Sequence, residues 1–235
     1  MRYRVQVLGW TLIWSGLLIF GYLGYQLFGT DLITNGLQAE ATTELTESLE
    51  DVEPESVSID TEKFLGPGYE LDELPEIVEL VSEEPVAVGE SFAFMTIPRL
   101  DIDGLVVHEG VDRETLKKGP GHMTTTPLPG QPGNAVISGH RTTYGRPFFD
   151  FDQLAPGDRI EIESASGIHV YEVRESQIVL PTDVWVTDER AGGWLTLTTC
   201  NPKFSARERL IVFAEMVSGP NYEYTQLHKT KFADL

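Results

Sequence analysis

The sequence predicts an all-β barrel carried behind one apolar helix and an acidic linker. Three observations predict it. From Ser91 onward, apolar or alternating runs of strand length recur at short intervals, separated by Gly- and Pro-rich breaks such as GPGH, PLPGQPGN, APGD and AGG. Only short stretches in that region read as helix, so many short strands must bury their faces against one another in a closed or nearly closed antiparallel barrel. The third observation is Val5–Gly29, a run of 25 residues without a formal charge.

That first run is long enough to cross a hydrocarbon core of roughly 30 Å at roughly 1.5 Å per residue. Trp10, Trp14, Tyr22 and Tyr25 suit membrane interfaces, although Trp14 would sit nearer the middle. Arg2 and Arg4 precede the run, and Asp31 and an acidic stretch follow it, so the positive-inside rule places the N-terminus in the cytoplasm and the rest outside. Residues 1–30 are therefore expected to be a signal-anchor. A cleaved signal peptide is the rival reading, with Ala39-Glu40-Ala41 as a cleavage-like site some ten residues past the apolar run.

The net charge of −20 sits mostly in residues 31–90, which hold 18 acidic residues and one basic residue, Lys63. Thr, Glu, Ser and Pro dominate there, a composition that buries too little apolar surface to offset its ordering entropy. The expectation is an extracellular spacer, largely disordered, with a short helix around Glu73–Val81. Without a polybasic footprint, nucleic acid is not expected as a partner.

Residues 91–218 are the expected barrel and 219–235 a C-terminal tail. FAFMTIPRLDIDGLVVHEGV (92–111) reads as two strands around an Asp103-Gly104 turn. RETLKKG (113–119) reads as a short helix ending at Gly119, and FFDFDQL (148–154) as another. NAVISGH (134–140), DRIEIES (158–164), IHVYEVRESQIV (168–179), WLTLTTC (194–200) and ERLIVFAEMV (208–217) read as strands.

Cys200 is the sole cysteine, so no internal disulfide can form. It ends a Thr-rich strand, where a barrel rim presents side chains, but a small buried hydrophobe is the alternative role. A cysteine nucleophile requires a proton partner and an oxyanion donor held on a rigid frame. Of His108, His122, His140, His169 and His228, only His140 also closes a strand. His169 lies inside a strand and reads as structural. Two arginines follow the cysteine. Alternation places Arg209, Ile211 and Phe213 on one face and Leu210, Val212 and Ala214 on the other. A planar guanidinium suits an oxyanion or a peptide carbonyl, and spacing does not separate Arg209 from Arg207. No His, Cys and carboxylate cluster has metal-ligand spacing, so no zinc is expected.

ISGHR (137–141), TLTTC (196–200) and the arginine opening RLIV (209–212) resemble the sortases, the cysteine transpeptidases of Gram-positive surfaces. The likeness runs from about Phe94 to Val217 and takes in IPRLDIDGLVVHEG, GPGH, PGQPGNAVISGHR and APGD. TTCNPKFSARERLIV and GHRTTYGRPF look most like the class E branch typical of actinobacteria. The resemblance implies an eight-stranded sortase β-barrel, with Cys200 as nucleophile, His140 as acid/base partner and Arg209 steadying the substrate carbonyl and oxyanion. Arg209 is preferred because the family's arginine directly precedes the apolar strand. Thr199 is expected to line the substrate groove. No metal or cofactor is implied. The implied partners are surface proteins bearing an LAxTG or LPxTG sorting signal and an amine of the cell-wall precursor.

Two other classes remain open on residues alone. L,D-transpeptidases are extracellular β-rich cysteine enzymes, but they carry a histidine close before the cysteine, whereas Thr199 precedes Cys200 here. An adhesive or sensor domain with an inert, buried cysteine is the non-enzyme reading.

Overall fold

The computed structural model describes residues 2–50, 52, 54–66, 69 and 75–233. Helix α1 (Arg2–Gly24) is apolar all round, with its described side chains exposed, and its Tyr3–Gly24 stretch is long and apolar enough to cross a membrane. A π-helical turn, Tyr25–Gly29, joins it without a break to α2 (Thr30–Glu50). Next come strand β1 (Glu55–Asp60), helix α3 (Thr61–Leu65) and strand β2 (Ile77–Ser82), the two strands pairing as a separate antiparallel hairpin.

The remaining strands are β3 (Ser91–Ile97), β4 (Ile102–Glu109), β5 (Gly121–His122), β6 (Gly133–Ser138), β7 (Arg159–Ser164), β8 (Gly167–Val179), β9 (Gly193–Asn201) and β10 (Glu208–Ser218). These eight close into one barrel in the order β10-β8-β7-β3-β4-β5-β6-β9. Helix α4 (Arg113–Lys118) crosses from β4 to β5, and α5 (Tyr222–Lys231) follows β10. The barrel is closed, but it is not wholly antiparallel: β4 with β5 and β6 with β9 run parallel. The second parallel pair matters for the site, because it brings two strand ends to the same rim.

Period-2 alternation fills the interior. Ala93, Met95 and Ile97 of β3, Ile160 and Ile162 of β7, Tyr171 and Val173 of β8, Leu195 and Leu197 of β9, and Leu210, Val212 and Ala214 of β10 form one buried cluster. Phe148 and Phe151, stacked with ring centroids 3.8 Å apart, join it. The outer face of β10 carries Ile211 and Phe213, which pack with Val186 and Trp194 in a second cluster under the 180–192 loop.

Several local expectations are corrected. The first two barrel strands turn through a short 3-10 segment at Pro98–Leu100 and a left-handed Asp101, while Asp103-Gly104 lies within β4. FFDFDQL holds only a single 3-10 turn, Phe151–Gln153. In the region expected to be helical around Glu73–Val81, residues 73–74 lie outside the described residues and Ile77–Ser82 is a strand.

Residues 31–90 are expected as a largely disordered spacer; among its described residues, Asp31–Glu50 continue α2, which packs on the barrel. One face of α2 presents Thr34, Gln38, Ala41 and Leu45 at helical spacing, and Ala41 and Leu45 pack on Val106 with Phe94 at the margin. Strand β4 meets β5 only at His108 and Glu109, which leaves the Val106 backbone without a strand partner on that edge. Gln38 takes that place. Its Oε1 accepts from Val106 N–H at 2.9 Å, and its Nε2 donates to the carbonyls of Val106 (3.1 Å) and Lys118 (2.9 Å). One amide thus makes an acidic helix part of the barrel wall. Within the tail expected at 219–235, Tyr222–Lys231 forms α5, whose Leu227 packs on Leu65 and Val78.

Burial also predicts acid sensitivity. His108 and His169 are 2 % and 0 % exposed, and neither Nδ1 has a hydrogen-bond partner among the described residues. Burial holds both imidazoles down to about 4. Between the ordinary value and about 4 the unfolded chain takes up these protons and the folded chain does not, so stability falls as pH falls. By pH 5 the loss is about 2 kcal/mol per histidine. Glu83, held above its ordinary value by burial, opposes this as pH falls through its raised range, where the folded chain is the one that takes up the proton. The melting temperature should drop clearly between pH 7 and pH 5, and His169→Leu should reduce that drop; equal melting at both values contradicts the burial account.

Candidate active site

Strands β9 and β10 are antiparallel, and Arg209 is the direct register partner of Cys200. Directly opposed residues hold their Cβ atoms about 4.5–5.5 Å apart on one face. That face is the outer one, since Leu195, Leu197, Leu210 and Val212 occupy the interior. On the other side of β9, the parallel partner β6 sets Ser138 beside Thr198, and Gly139 N–H continues the ladder to the Thr198 carbonyl at 3.1 Å. The paired register ends there: His140 lies two residues past Ser138, and Cys200 two residues past Thr198 on β9. The sulfur of β9, the guanidinium of β10 and the imidazole just beyond the end of β6 therefore lie toward one rim of the barrel.

His140 is half-buried, and burial lowers its pKa below the ordinary histidine value. The neutral ring is thus favoured at neutral pH, as a proton acceptor must be. Tyr144 covers one side of it, with ring centroids 5.0 Å apart. Cys200 is neither sealed in the core nor fully exposed. Arg209 donates from Nη1 to the carbonyls of Ala206 and Glu208, both at 3.0 Å; among the described residues Nε and Nη2 are left for another acceptor. Arg207 is largely exposed and meets Glu208 only at 4.0 Å, which fits solvation rather than a site role.

Thr199 is a correction. It is 3 % exposed, and its hydroxyl donates to the Gly139 carbonyl at 2.8 Å. Alternation turns it inward when Cys200 faces outward, so it holds the backbone leading to His140 and does not line a groove. His122, His169 and His228 lie elsewhere: His122 is buried against Glu109 (2.8 Å), and His228 accepts from Gly192 N–H. Among the described residues, no three His, Cys, Asp or Glu side chains converge as a metal site.

The residue that sequence reasoning passed over is Arg141. It is 4 % exposed, donates from Nη1 to Asn201 Oδ1 (2.6 Å) and to the Cys200 carbonyl (3.3 Å), and pairs from Nη2 with Asp152 (2.8 Å). It ties the chain after His140 to the strand that carries the cysteine. The signal for it was its place in GHR, directly after the chosen histidine.

Residues 95–217 match the sortase domain family model, more than half of the chain. This chain belongs to the sortase family. It is 34 % identical over 145 residues to sortase SrtE1 of Streptomyces coelicolor, a match covering 55 % of this chain and 41 % of that relative's length. The solved structure of Sortase E1 from Streptomyces coelicolor with a tripeptide in the active site is 31 % identical, with a TM-score of 0.52, covering 55 % of this chain and 90 % of that one. Sortase E of Streptomyces avermitilis is 41 % identical with a TM-score of 0.51, over 57 % of this chain and 91 % of that one. A Sortase D5 transpeptidase of Clostridium perfringens is 25 % identical with a TM-score of 0.59, over 78 % and 99 %. The class E resemblance agrees with the similarity of this chain to the two Streptomyces proteins, SrtE1 and sortase E.

Proposed function

We propose that this sortase is a membrane-anchored cysteine transpeptidase that cleaves an LAxTG- or LPxTG-type sorting signal between Thr and Gly and joins the Thr carbonyl to an amine of the cell-wall precursor. The observation that carries the reading is the shared rim: Cys200 opposite Arg209 in register, with His140 just past the end of β6, the strand that pairs with β9 on its other side. The Cys200 Sγ attacks the Thr carbonyl carbon, and the thiol proton passes through His140 to the departing Gly amine. A C–N bond breaks and a C–S thioester forms. The acceptor amine then attacks the thioester carbonyl, a new C–N bond forms as the C–S bond breaks, and the amine's proton passes through His140 to the released sulfur. Arg209 steadies the carbonyl oxygen as it gains charge in both steps.

Several features support a peptide substrate. Leu180, Val184 and Trp185 on the loop after β8, and Phe204 on the loop between β9 and β10, are exposed apolar side chains on segments that leave the strands beside Arg209 and Cys200. The tripeptide in the S. coelicolor relative is consistent with such a ligand. The apolar α1, with the positive-inside asymmetry of its flanks, supports a single-pass anchor with a cytoplasmic N-terminus and an extracellular barrel.

The test uses the full chain in lipid nanodiscs, because α2 is part of the barrel wall. Quenched LAxTG and LPxTG peptides are offered with diglycine or a diaminopimelate-containing acceptor, and the products are weighed. A thioester on Cys200, followed by a Thr–acceptor ligation product, is expected. Peptide should also protect Cys200 from alkylation. An unreactive thiol with no ligation product would return the chain to the binding-domain reading.

A further inference from the structure

The His140 loop is clamped from outside the barrel, at the point where the apolar helix ends. Tyr144, Gly145 and Arg146 all have positive φ, at 53°, 76° and 50°. Two of the three are not glycine, so this backbone is costly unless something holds it. Successive left-handed residues aim their N–H groups to one side, forming a concavity that takes an anion or an oxygen. Here the first turn of α2 fills it. Tyr144 N–H donates to Thr30 Oγ1 at 3.3 Å, Gly145 N–H donates to Asp31 Oδ1 at 3.0 Å, and the Arg146 guanidinium pairs with Asp31 Oδ2 at 3.0 Å. A Cβ on Gly145 would come within 3.0 Å of the Thr34 side chain, so the loop lies directly on the helix.

The base of the loop is held by other means. Phe148 N–H returns to the His140 carbonyl at 3.1 Å, and Arg141 fixes the opposite side to Asn201 and Asp152. The tip, which carries the Tyr144 ring over His140, closes on itself through Arg146 N–H to the Thr143 carbonyl (3.1 Å) and meets α2 through the Tyr144 and Gly145 N–H groups and the Arg146 side chain.

We propose that Thr30 and Asp31 are positioning residues for His140: by holding the 144–146 backbone in its left-handed conformation, they keep Tyr144 against the imidazole. Because α1 runs through the π-helical turn directly into Thr30, the same contact fixes the catalytic rim close to the end of the candidate membrane span. The proposal rests on the reading of His140 as the acid/base partner.

The full chain in nanodiscs tests it, with thioester formation and ligation from a quenched LAxTG peptide and diglycine as readouts. Asp31→Asn keeps the shape but removes the charge that accepts from Gly145 and Arg146. Its kcat should fall about 5–20-fold with KM changed less than about twofold, as expected when a reacting group loses its placement. Its melting temperature should stay within about 2 °C of the parent. Asp31→Glu should recover to within about threefold of the parent kcat. Arg146→Gln breaks the pair from the loop side, and the double variant should be no worse than Asp31→Asn alone. A kcat for Asp31→Asn within twofold of the parent overturns the proposal. So does a loss carried by KM or by melting, or losses that multiply in the double variant. Absence of thioester in the parent chain would instead defeat the sortase-site reading itself, so the two failures are distinguishable.

Discussion

Cys200→Ala is expected to form no thioester with any sorting peptide, and its transpeptidation rate should fall to background. The loss is on the order of 10⁶-fold, the scale on which removing a protease nucleophile acts. The fold should survive. Cys200 lies at the end of β9 and is only partly buried, and its backbone carbonyl still accepts from Arg141, so the stability change should be within about 1 kcal/mol. Unchanged melting with complete loss of thioester is therefore the decisive pattern, read by intact-mass measurement after incubation with peptide. Acyl transfer that persists in this variant would remove Cys200 from the mechanism and leave the rim geometry without a function.

Arg209→Ala is expected to lower kcat by about 10²–10³-fold, as loss of an oxyanion donor does, while Arg207→Ala stays within about twofold of the parent. The contrast follows from register. Arg209 faces Cys200 directly across β9 and β10, whereas Arg207 is largely exposed in the preceding loop. Arg209→Lys keeps the charge but loses the planar fork, so it should recover only part of the loss. The split between kcat and KM carries the mechanistic content. A guanidinium that meets oxygen mainly in the transition state affects kcat, and one that only docks the peptide affects KM. Equal behaviour of the two alanine variants would dissolve the preference for Arg209.

Much of the frame was legible in the sequence because its signals are local. Alternation in RIEIES and WLTLTTC marks strands whose apolar residues, Ile160, Ile162, Leu195 and Leu197, do reach the core. The ends of NAVISGH and WLTLTTC also pointed to the rim, since a strand end is a local feature. Other readings failed where the deciding contact is distant in the chain. The neighbour Cys200 suggests a groove position for Thr199, but alternation against the barrel interior turns it toward Gly139. The 30–50 segment reads as a tether by composition. It becomes a wall of the barrel through Gln38 and Val106, which lie 68 residues apart in sequence.

By itself, then, the sequence determined the longer barrel strands, the apolar helix, a single thiol near the end of one strand and an imidazole just past the end of another, because periodicity and residue chemistry are properties of short segments. Only the tertiary structure decided that β6 runs parallel to β9, that Arg209 and Cys200 face each other on the outer surface, and that Asp31 reaches the loop beyond His140. Strand order and register are set by which faces can be buried together, and that selection is made by the whole closed barrel rather than by any one of its strands.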